Sequence, residues 1–90
     1  MESVLQTTRE RCFLCGRQGV TEEHHVLHGH SNRKNAEKYG LKVYLCPMCH
    51  RNLHDRGEYD LYLIQYAQKY FEANLGDRDA FRRIFGKSWL

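Results

Sequence analysis

The sequence predicts a small α+β fold, a metal-stapled β-hairpin and helix followed by two C-terminal helices. Three observations predict it. Four cysteines fall in two Cys-x-x-Cys pairs, Cys12/Cys15 and Cys46/Cys49. Two short runs of strand character, Val20 to Leu27 and Leu41 to Leu45, lie between the pairs. Beyond Gly57, apolar residues recur at close to helical spacing. The 90 residues make one domain, with a metal-bearing module over 10–57 and a helical extension over 58–90. A chain this short folds on its own core with a thin margin, and a structural zinc contributes roughly 10–16 kcal/mol in small zinc modules.

Residues 1–10 read as a polar arm. Cys12-Phe-Leu-Cys15-Gly16 reads as a knuckle, with Gly16 allowing the tight turn that points both sulfurs inward. The first strand carries His24 and His25. Residues 28–40 are polar and glycine-bounded, which predicts a loop with a helical turn around 35–39. After the second strand, Cys46-Pro-Met-Cys49 is a second knuckle, and Pro47 suits the first turn of a helix reaching Asp55 and stopping near Gly57. The next helix spans Asp60 to Leu75, with Leu61, Ile64, Tyr70, Phe71 and Leu75 at helical spacing, Tyr62 and Tyr66 as extra aromatics, and Gly76 as its end. Asp77 then caps a last helix through Phe81, Ile84 and Phe85, closed by Gly86. These aromatics are expected to pack the core or cover the metal module.

Two knuckles separated by a hairpin, the second opening a helix, describe a treble-clef zinc site with four cysteine ligands. Four thiolates satisfy a tetrahedral ion and leave no open position, so this zinc is structural. The absence of a signal-like apolar stretch points to a reducing cytoplasm, where such pairs bind zinc rather than form disulfides or redox centres. No segment approaches membrane-spanning length. Six histidines remain within the first 54 residues, more donors than one ion needs. His50 and His54 are four residues apart, about 400° of helical rotation, so their rings share one face. One histidine of the His24-His25 doublet can complete a three-imidazole site with an open position, and the other can act as a base. Lys and Arg outnumber Asp and Glu by 14 to 11, a formal +3, which permits a polyanionic partner. Arg33, Lys34, Lys38 and Lys42 between the ligand sets form a candidate phosphate-facing strip.

The stretches TEEHHVLHG and KVYLCPMCHRNLH resemble the HNH, or ββα-metal, endonuclease motif framed by a four-cysteine zinc. The loop, the second strand and the ending FGKSWL are similar to small phage and prophage HNH nucleases of the recombination-enhancement type. The resemblance implies that Cys12, Cys15, Cys46 and Cys49 hold the structural Zn²⁺. It makes His24, His50 and His54 the ligands of a catalytic divalent ion (Mg²⁺, Mn²⁺, Ni²⁺ or Zn²⁺), and His25 the general base. DNA is the implied partner, with Arg33, Lys34 and Lys38 on its phosphates and a protein recruiter as a further partner. The implied location is the bacterial cytoplasm. His28, His30 and Asn32 are auxiliary candidates, as spare ligands or phosphate contacts. Where the family places its middle Asn, five residues before the third zinc cysteine, this chain has Leu41.

Three other readings use the same residues. A non-catalytic treble clef that binds nucleic acid or protein needs only the thiolate zinc and the basic loop. Cys46-Pro-Met-Cys49-His50 matches a c-type haem attachment motif but strands Cys12, Cys15 and His24. A two-cysteine, two-histidine finger fails because no histidine occupies 32–34.

Overall fold

The structure, a computed structural model, describes residues 1–90. It is a small α+β fold of one two-stranded antiparallel sheet and four helices. In chain order these are β1 (Glu22–His25), α1 (His30–Tyr39), β2 (Lys42–Leu45), α2 (Pro47–Arg56), α3 (Asp60–Asn74) and α4 (Arg78–Phe85). The strands pair Glu22 with Leu45, Glu23 with Tyr44, His24 with Val43 and His25 with Lys42. No helix is long and apolar enough to cross a membrane.

The hairpin and α2 form as their residues dictate. Val43, Tyr44 and Leu45 have the β-branched and aromatic character that favours a strand, and all three are buried. Pro47 opens α2 where a missing N–H costs nothing, and the Cys46 sulfur accepts from the Cys49 N–H at 3.4 Å. Gly57 closes the helix in the left-handed conformation. One apolar cluster joins the module to the extension, with Val26, Leu27, Leu41, Val43, Leu45 and Leu53 meeting Leu63, Ala67, Phe71, Phe81 and Phe85. Burial of this surface is the main favourable term holding the two parts together.

Several local expectations need correction. The polar run 28–40 contains a ten-residue helix, α1, where the composition suggested a loop. Its support is tertiary: Asn35 Nδ2 donates to the Ile84 carbonyl at 3.1 Å, Asn32 Nδ2 to the Phe85 carbonyl at 3.3 Å, and Ala36 is buried. Gly40 ends α1 at φ +71°, and a Cβ there would lie 2.5 Å from the Glu2 carbonyl, so both backbone angle and close approach require glycine.

Residues 1–10 are not a free arm. Val4 N–H donates to the Gly40 carbonyl at 2.9 Å, Tyr44 N–H to Gln6 Oε1 at 2.8 Å, and Leu5 is buried. On α3 the inward stripe is Leu63, Ile64, Ala67 and Phe71, while Leu61 (56% exposed) and Leu75 turn outward. Leu75, not Gly76, is the last cap of α3; Gly76 instead lies against the Phe71 ring. The expected cap of α4 is present, with Asp77 Oδ1 accepting from Ala80 N–H at 2.8 Å. The buried Gln68 side chain donates to Glu72 and Ser88 and accepts from Trp89 N–H, which pins the chain end to α3.

Candidate metal centres and cleft

The first centre grows from the two knuckles. Gly16 turns at φ +77°, and Cys12 N–H donates to the Arg17 carbonyl at 2.9 Å, closing the first knuckle on itself. The second knuckle joins β2 to α2. All four sulfurs lie within 4.8 Å of one another, and no disulfide is formed. The Cys15–Cys46 separation is 3.8 Å. A tetrahedron of Zn–S bonds sets its sulfurs about 3.8 Å apart, so the four cysteines form a set able to hold a structural zinc. Burial pushes the Cys12 thiol up, but backbone N–H groups of Cys15, Cys46 and Leu14 outweigh it and bring it to about 6. Burial and the other three sulfurs push Cys49 up instead. A second negative charge among sulfurs is disfavoured without a cation to share.

Beside the thiols, α2 presents His50 and His54 one turn apart, and β1 presents His24 to the same space. Their ligand nitrogens lie within 4.8 Å of one another. His50 Nε2 and His54 Nε2 are 2.9 Å apart, and the His24 ring centroid is 5.2 Å from His50 and 5.5 Å from His54. His24 is 3% exposed, and its Nε2 has no hydrogen-bond partner. An orphaned buried nitrogen costs free energy unless something satisfies it. Burial, then the neighbouring His50, His28, His54 and His25, lower His24 to about 3. It is therefore a neutral imidazole at ordinary pH, the form that binds a metal. Glu22 Oε1 lies 2.8 Å from His50 Nδ1. A carboxylate there orients the ring and leaves Nε2 as the donor nitrogen, the usual support of a metal-bound histidine. The three residues fit a divalent ion.

His25 leaves β1 on the opposite side from His24, as strand alternation requires. Its Nε2 sits 2.8 Å from Glu37 Oε1 and 3.6 Å from Glu23 Oε1. Both histidines nevertheless line one open cleft of about 480 Å³, because the cleft wraps the edge of β1. His28, His30, Arg33, His50 and His54 line it too. His28 Nε2 contacts Asp60 Oδ1 at 2.5 Å, and Asp60 follows Tyr59, a residue in the left-handed region at φ +64°.

The remaining candidates lie elsewhere. Lys34 and Lys38 are outside the cleft lining, with Lys38 Nζ 5.5 Å from the Tyr39 ring centroid. Asn32 is engaged with α4. Lys42 is not part of an exposed basic strip: it is 4% exposed and paired with Glu23 and Glu37. Leu41 is buried, and its carbonyl accepts from Val26 N–H at 3.1 Å, tying down the chain after the doublet through the backbone.

Sequence reasoning missed four carboxylates: Glu22, Glu23, Glu37 and Asp60. Glu22 and Glu23 adjoin the doublet and could have been suspected. Glu37 and Asp60 meet their histidines across 12 and 32 positions, with no local pattern to mark them. No family model, curated protein or solved structure matches the chain.

Proposed function

We propose that the chain is a metal-dependent endonuclease that hydrolyses phosphodiester bonds in DNA by an HNH-type mechanism. The observation that carries this reading is the cleft itself. A buried imidazole nitrogen without a partner meets two more imidazoles there, beside a separately held histidine and an arginine. His24, His50 and His54 would hold a divalent ion (Mg²⁺, Mn²⁺, Ni²⁺ or Zn²⁺), while the four cysteines keep a structural Zn²⁺. An ion held there would supply positive charge to offset the negative charge that builds up as the phosphodiester is cleaved.

The chain's own residues do the rest. Glu22 fixes the ring of His50. His25 takes a proton from the attacking water as its oxygen bonds to phosphorus and the P–O3′ bond breaks. Arg33 offers a planar fork of N–H donors to the phosphate oxygens. Cys46 and Cys49, which would hold the structural zinc with Cys12 and Cys15, fix the start of α2 and with it the spacing of the imidazole pair.

Incubation of the purified protein with supercoiled plasmid and Mg²⁺, Mn²⁺ or Ni²⁺ tests this reading. The wild type is expected to nick or linearise the plasmid. His25→Ala should lower that rate by about 10²- to 10⁴-fold with metal content and fold unchanged. DNA binding without nicking by the wild type would favour a non-catalytic treble clef, and a near-normal rate for His25→Ala would dismiss the base.

A further inference from the structure

We propose that Glu37 is the positioning residue of His25, its carboxylate selecting the tautomer that leaves Nδ1 as the proton-accepting nitrogen. The inference rests on the nuclease reading for the purpose of that nitrogen, and on the geometry and charge around Glu37 for the tautomer. Three elements build the arrangement: β1 carries His25, α1 carries Glu37 and β2 carries Lys42 directly opposite His25 in the sheet register. Glu37 Oε1 lies 2.8 Å from His25 Nε2. The same carboxylate meets Lys42 Nζ at 3.0 and 3.3 Å and the Met1 ammonium at 2.5 Å. The Met1 ammonium first, then His25 and Lys42, hold Glu37 at about 2, so it is ionised at neutral pH.

An ionised carboxylate can only accept hydrogen bonds. His25 Nε2 therefore carries the hydrogen. A neutral imidazole has one N–H, which leaves the lone pair on Nδ1. The side chain of His25 is 12% exposed, so the ring has little room to turn away from Glu37 into water.

A rival use of the cluster is a further ion held by Glu23, His25 and Glu37, whose ligand atoms also converge. The ammonium of Lys42 answers it. Nζ lies 3.1 Å from Glu23 Oε2 and 3.0 Å from Glu37 Oε1, where it serves as the cation between the two carboxylates. Lys42 thus holds Glu37 in place and Glu37 holds His25.

Nitrogen-15 NMR of the histidine rings tests the assignment on the metal-loaded protein without substrate. In the wild type, neutral His25 is expected in the Nε2–H form. In Glu37→Ala the Nδ1–H form should gain population. Glu37→Leu keeps much of the side-chain bulk should the alanine variant fold poorly, and it offers Nε2–H no acceptor, so it should move the tautomer the same way. Steady-state cleavage by either variant should show kcat lowered roughly 10- to 100-fold, with KM and metal content unchanged. An unaltered His25 tautomer in both variants would overturn the proposal, as would an Nδ1–H wild type. A wild type that cuts no DNA speaks against the nuclease reading instead, and the ring spectra distinguish the two failures.

Discussion

His24 shows how a single residue can be specified by what surrounds it. Its neighbours are imidazoles and apolar side chains, its pKa is lowered to about 3, and its Nε2 has no partner within the chain. Glu37 is the opposite case, an anion surrounded by cations. Its ordinary value is 4.5 and its folded value about 2, so folding is linked to its ionisation. The carboxylate's contribution is fully present above pH 4.5, declines as pH falls and is gone once pH passes below 2. The thermal midpoint of the wild type should therefore exceed that of Glu37→Gln at neutral pH. The gap should close between pH 4.5 and 2 and shrink with added salt, because the group is well exposed. A constant gap across that range would contradict the linkage. At this scale the sequence revealed the donors, because thiols and imidazoles are few and regularly spaced. It concealed their carboxylate partners, because ordinary surface residues such as Glu37 and Asp60 become specific only through long-range contact.

Among the elements, α2 was the most legible. Proline at its first position, a knuckle at its start, paired histidines and a terminal glycine all point the same way. Helix α1 was hidden because Ala36 is its sole buried residue and no side chain caps its N-terminus. Its order comes from α4, through the two asparagine amides and the packing of Tyr39 against Phe85, and from α3, through the packing of Tyr39 against Phe71. Helix α4 in turn depends on its aromatic face, where the Phe81 ring lies 5.4 Å from Phe71 and 4.7 Å from Phe85. Phe81→Ala should cost about 3–5 kcal/mol, measured by chemical denaturation. It should also raise amide exchange in α1 as well as α4, since the first leans on the second. Exchange confined to α4 would show that α1 stands on its own. The stripe on α3 was misplaced by a simpler cause. Its aromatics are so frequent that several helical phases fit the sequence, and only packing into the common core with α4, α1 and the hairpin selects Leu63, Ala67 and Phe71.

For the whole molecule, adjacency along the chain becomes adjacency of two centres. Cys49 and His50 are neighbours on α2, one facing the thiols and the other the cleft. The same helix therefore links the geometry of the sulfur cluster to that of the open imidazole cleft. The general plan of hairpin, helix and helical extension followed from cysteine spacing and hydrophobic period. How the extension reaches the cleft did not, because the turn that brings Asp60 to His28 depends on a tyrosine in the left-handed region. We propose that the chain holds two ions in separate sites. The most direct test is elemental analysis of metal-replenished wild type beside the His50→Ala/His54→Ala double variant. Two divalent equivalents per wild-type chain and one, zinc, in the folded double variant are predicted. A single equivalent in both proteins would contradict the account.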